Sequence, residues 1–126
     1  MTPASRLAVR ARAPLLVPSH RGLLVAALVV TRLGDVLVTY HGLGVGLVEV
    51  NPVAVAAMDA LGVVPGLLAV SAAVVVGIVA AGETALRLLD PPRSRRPVVR
   101  ALWYGGPALL WAGVCVYNAV LVLRVT

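Results

Sequence analysis

Apolar residues run along this chain in long stretches separated by brief polar punctuation. Val63 to Gly82 carries no charge, and its apolar pattern extends to about Leu89. Ala101 to Leu123, between Arg100 and Arg124, is likewise uncharged. At about 1.5 Å of rise per residue, helices of this size reach about 30 and 35 Å, the thickness of a bilayer's hydrocarbon core. An earlier stretch, about Gly22 to His41, is interrupted by Arg32 and Asp35. Its strong apolar residues contribute about −0.3 to −0.6 kcal/mol each to insertion, against about +2.5 to +3.5 kcal/mol for each central charge. The sum is near zero, so this helix depends on its neighbours to stay inserted. Arg32 and Asp35 stand three apart on one helix face, where mutual pairing recovers part of the cost.

The region from Gly42 to Gly62 is the ambiguous one. Gly42, Gly44 and Gly46 break the first span. Asn51 followed by Pro52 is a helix-start signal, because an Asn side chain accepts a backbone N–H and Pro suits the first helical position. Gly62 is a plausible stop. The helix this predicts, Pro52 to Leu61, is about 15 Å long, half a bilayer. It is expected to lie at the outer interface or to re-enter against the bundle; the alternative is a fourth span and a four-helix membrane bundle. Arginine placement favours three. The stretch from Met1 to Arg21 holds Arg6, Arg10, Arg12 and Arg21, and Arg87 to Arg100 holds five more, whereas Gly42 to Gly62 holds only Glu49 and Asp59. Three crossings put both arginine groups on the cytoplasmic side, as the positive-inside bias requires. The expected fold is therefore an all-α integral membrane protein of the cell membrane. Its spans lie at about 22–41, 63–89 and 98–123, with a short helix at about 52–61, the N-terminus inside and the C-terminus outside. Residues 1–21 read as a basic cytoplasmic arm broken by Pro3, Pro14 and Pro18, and 22–126 as one transmembrane domain. The first span reads as uncleaved rather than as a signal peptide, since its apolar run resumes through Leu33, Val36 and Leu37.

Composition narrows the class without naming a function. Sixty per cent of the chain is apolar and 13% charged, where a soluble domain carries about 25% charge. That excludes intrinsic disorder and a small soluble domain. The net charge of +6 would suggest nucleic acid in a soluble protein. Here the arginines sit beside hydrophobic runs, so the expected partner is the bilayer and not nucleic acid. Arg93, Arg95 and Arg96 are placed to meet anionic lipid heads, at about 1 kcal/mol each. The lone Cys115 reads as a small buried hydrophobe.

Candidate chemistry concentrates in and just after the first span. Thr31, Arg32, Asp35 and Thr39 make a polar stripe, followed by Tyr40, His41, Glu49, Asn51 and Asp59. An ionisable group inside a membrane is a functional hypothesis by default. The sharper reading is a polar or cation-holding site built from Arg32, Asp35, Thr39, Glu49 and Asn51, with Glu49 folding back toward Asp35. The plainer one is that Arg32 and Asp35 pair, Thr39 bonds its own helix and Glu49 is a loop charge. His20 and His41 fall on opposite sides, and no metal motif, cofactor loop or nucleophile elbow occurs; Ser71 stands alone in an apolar run. Ala69, Ala73, Gly77 and Ala81 form a small-residue row suited to close helix packing, and a homo-oligomer is expected to use such a surface. Glu83 and Arg87 are spaced for a local ion pair. Asn118 is placed to hold helices together, and Trp103, Tyr104 and Tyr117 to anchor near the interfaces.

The order Asp35-x-x-x-Thr39-Tyr40, a glycine-rich break, Glu49-x-Asn51-Pro52 and a short helix ending at Gly62 resembles an uncharacterised family of small multi-pass membrane proteins from archaea and bacteria. The resemblance covers Asp35 to the end of the second span and implies the same architecture, with attention on Asp35, Glu49 and Asn51. Arg32 and the long N-terminal arm depart from the pattern. The function expected is a structural or binding module. An oligomeric ion or proton pathway using Asp35, and an intramembrane enzyme acting on lipid, are the other two classes.

Overall fold

The computed structural model describes residues 19–126, which form four α-helices: α1 His20–Gly44, α2 Pro52–Leu61, α3 Val63–Leu89 and α4 Arg96–Val125. Helices α1, α3 and α4 are long and apolar enough to cross a membrane, and α2 is short and apolar. The expected all-α class holds, with no strand among the described residues. Helix α1 starts earlier than the apolar pattern suggests, because Ser19 caps it: its Oγ accepts the Gly22 N–H at 3.1 Å. Arg21, read from sequence as part of the arm, is therefore in the first helical turn. Residues 1–18 of the expected arm lie outside the described residues.

Helix α2 follows from its two end signals. Asn51 Oδ1 accepts the Val53 N–H at 3.0 Å, Pro52 occupies the first turn, and Gly62 closes the helix at φ +91°, a conformation that suits a residue without Cβ. One residue separates α2 from α3, so α2 turns back along the first turns of α3. Gly66 makes that approach possible. A Cβ there would lie 2.6 Å from the Ala57 carbonyl carbon and from the Met58 nitrogen. Val36, Ala54 and Leu67 form one buried cluster at this junction, with Met58 packed on it.

The long helices alternate in direction. Along α1, Leu24 lies opposite Gly105, Gly34 opposite Cys115 and Gly42 opposite Val122, so α1 and α4 run parallel. Arg21 meets Glu83 while Arg32 meets Ser71, so α3 runs antiparallel to α1. One end of the bundle thus gathers the start of α1, the end of α3 and the start of α4. It carries Arg21, Arg87, Arg93, Arg95, Arg96 and Arg100.

Most apolar side chains point outward. Leu37, Val76, Leu109 and Leu123 are each well exposed, while among the described residues Leu28 and Tyr104 are the large side chains that are fully buried. A surface of this kind suits hydrocarbon and not water. The Ala69, Ala73, Gly77 and Ala81 row also faces outward, and no described residue outside the helix's own backbone comes within 4 Å of a Cβ built on Gly77. Within the chain, the close approaches on α3 are made instead by Gly66, against α2, and by Gly82, against α4. Spacing alone marks a row of small residues, but only the neighbours decide which row is covered. In α4, Pro107 follows Gly105 and Gly106 and removes the N–H that would bond the Trp103 carbonyl.

Candidate functional site

Arg32 sits at the midpoint of α1, twelve residues from either end, and is 8% exposed. Its Nη1 donates to Asp35 Oδ2 at 3.0 Å, the pairing that their spacing on one helix face allows. Its Nη2 donates to Ser71 Oγ on α3 at 3.1 Å. The Trp111 ring on α4 lies over the guanidinium, 4.8 Å from its carbon, within cation–π range. Asp35 Oδ1 accepts from Asn118 Nδ2 on α4 at 3.3 Å. One helix supplies the ion pair, and the other two each supply a hydrogen-bond partner. Thr31 stays outside this network, its Oγ1 donating to the Leu28 carbonyl of its own helix at 3.0 Å.

Asp35 therefore does not join Glu49 and Asn51. Glu49 Oε1 accepts the backbone N–H of Asn51 at 2.8 Å, and Asn51 caps α2 with its side chain. The segment between α1 and α2 instead runs back beside α1 and α4 and closes a pocket of about 320 Å³. Thr39, Glu49, Tyr117 and Asn118 are among its lining residues, in otherwise apolar walls. Where the sequence suggests one site, the fold makes two neighbouring ones. Asn118 touches both: it bonds Asp35 on one side and lines the pocket on the other.

A second polar cluster lies at the arginine-bearing end. Glu83 Oε1 accepts from Tyr104 Oη at 2.7 Å, and its two oxygens accept from Arg100 Nε and Nη2 at 3.2 Å each. Arg21 Nε stands 3.4 Å from the same carboxylate. The local Glu83–Arg87 pair expected from spacing is not made. Glu83 faces the interior between α1 and α4, while Arg87 is exposed. Trp103 also serves a different purpose from interface anchoring alone: its Nε1 donates to the Ile78 carbonyl at 2.9 Å, passing over Gly82, where a Cβ would lie 2.7 Å from that nitrogen. Arg96 is engaged by Asp90 at 2.6 Å and by the Pro91 carbonyl, whereas Arg93 and Arg95 are exposed.

The two clusters divide α4 at Pro107. Arg100, Trp103 and Tyr104 hold the half before it, and Trp111 and Asn118 the half after. Ser71 and Trp111 are the Arg32 contacts that sequence reading passes over. The available signal is chemical: a lone hydroxyl or indole in an apolar span is a natural partner for a buried charge on another span. Among the described residues, no three His, Cys, Asp or Glu side chains come together as a metal-holding group.

No curated protein and no solved structure matches this chain. Residues 26–124, which include the whole Arg32–Asp35 network and the turn after α1, match the family described as a domain of unknown function, DUF5658, and the chain belongs to that family.

Proposed function

We propose that this chain is a structural and binding module of the cell membrane. In it the Arg32–Asp35 pair locks three spanning helices together, and the pocket lined by Thr39, Glu49, Tyr117 and Asn118 receives a small ligand. The observation that carries the reading is the occupancy of Asp35. Both carboxylate oxygens are engaged, one by Arg32 and one by Asn118, as befits a structural charge and not a freely exchanging one. Asn118 ties the lock to the pocket, so ligand contact there is felt by α1 and α4 together. The gathering of arginines at one end of the bundle supports an orientation with that end, and the N-terminus, in the cytoplasm. Exposed Arg93 and Arg95 are then the residues that meet anionic lipid heads. The outward row of Ala69, Ala73, Gly77 and Ala81 is the face a second copy would use.

Reconstitution separates this reading from a pathway. Vesicles carrying the protein and loaded with a pH-sensitive dye should leak protons no faster than empty vesicles, with and without Asp35→Asn. A flux that appears with the protein and vanishes in Asp35→Asn would replace the module by a proton pathway.

A further inference from the structure

A groove of about 370 Å³ lies between α1 and α3, with Arg32 and Ser71 as its only polar lining residues. Its walls, among them Val29, Leu33, Leu68 and Val75, are branched aliphatic. Val29, Leu33 and Leu68 are more than a third exposed, so the groove opens sideways along the spanning face.

Its hydrogen-bonding balance is one-sided. The Arg32 Nε–H is buried with no partner among the described residues. Ser71 Oγ accepts from Arg32 Nη2, and its own hydrogen donates to no acceptor among the described residues. Leaving a buried donor unpaired is unfavourable, more so when the group is charged. No acceptor among the described residues lies within hydrogen-bonding reach of the Arg32 Nε–H. Whatever fills the groove should therefore bring an acceptor oxygen on an apolar body.

Charge and depth narrow the class. Arg32 and Asp35 already neutralise each other, so a carboxylate or phosphate would add an unpaired negative charge in a low-dielectric site. Arg32 is also about 18 Å from either end of α1, at about 1.5 Å per residue, far below the level of lipid headgroups. We propose that the α1–α3 groove binds a neutral lipid-soluble carbonyl compound of the quinone class, one carbonyl oxygen accepting from Arg32 Nε–H and Ser71 Oγ–H. This goes beyond the pocket at Asn118 and stands without it.

The test uses the whole protein in nanodiscs, titrated with decylubiquinone while tryptophan fluorescence is followed. Trp111, stacked on Arg32, is the reporter. Saturable quenching is expected. Ser71→Ala should weaken it about tenfold, a change of about 1.4 kcal/mol, by removing one donor. Ala72→Leu, which fills an exposed wall position without touching the polar network, should weaken it as well. Decylbenzene, with the same tail and no carbonyl, should not displace the quinone, and neither should decanoate. Quenching that never saturates, an affinity in both variants unchanged from the parent, or displacement by decylbenzene or decanoate would each overturn the proposal.

Discussion

Replacing Ser71 by Ala and Asn118 by Leu strips the Arg32–Asp35 pair of its hydrogen-bond partners on α3 and α4 while leaving the pair whole. The distinction matters because Arg32 and Asp35 share a helix. When spanning helices separate within a bilayer, the pair stays together, and only the bonds between helices are lost. Such bonds contribute about 0.6 kcal/mol on average and up to about 1.7 kcal/mol. Both of these join a neutral group to a charged one, and Arg32 is 8% exposed, so the upper part of that range applies. Each single variant should therefore lose roughly 1 kcal/mol or somewhat more of helix association. The two bonds meet on one ion pair, which is free to shift toward whichever partner remains. The double variant should therefore depart from the sum of the singles by at least about 0.5 kcal/mol. Reversible unfolding in mixed micelles, driven by rising detergent fraction and followed by tryptophan fluorescence, measures all four corners of the cycle. Single variants as stable as the parent, or strict additivity, would refute the idea that one polar network clasps the three helices.

Three further outcomes follow from the close approaches and the second cluster. Gly66→Ala places a methyl 2.6 Å from α2 backbone, which cannot yield as a side chain can. A loss of about 1–3 kcal/mol and faster amide exchange over α2 are expected, and unchanged exchange would mean α2 does not pack on α3 as described. Gly82→Ala should push the Trp103 indole off the Ile78 carbonyl and shift its emission, an effect absent from Gly77→Ala because no described residue crowds Gly77. Glu83→Gln should cost about 2 kcal/mol, since hydrogen bonds to charged groups contribute about 1.5–3 kcal/mol. Arg100→Gln in the same chain should then cost little more, as its main partner is already neutral; equal and additive losses would argue that the two residues act apart.

Much of the architecture was legible along the chain because it depends on local rules. Uncharged runs long enough to reach across a bilayer mark α3 and α4, and Asn51, Pro52 and Gly62 bound α2 by the chemistry of their own side chains. The Arg32–Asp35 contact follows from helical spacing alone. The candidate site was legible only in part. Asp35 and Glu49 are fourteen positions apart with a glycine-rich turn between them, and nothing local says whether that turn brings the carboxylates together. In the folded chain Glu49 bonds the neighbouring Asn51 backbone and Asp35 turns to α4. Glu83 has a cation one turn away, yet it takes Arg100 and Tyr104, because its side chain points between helices where those groups are already held.

Sequence by itself determined the number and extent of the apolar helices and the presence of an ion pair at the centre of the first. These are matters of hydrophobic length and helical repeat, properties of a segment taken alone. Tertiary structure decided which face of each helix is covered. Ser71, not the outward row of small residues, meets α1, and Gly66 and Gly82, not Gly77, admit a neighbour. The reason is geometric: rotation of a helix about its axis costs nothing locally, and is fixed only when side chains from distant parts of the chain interlock.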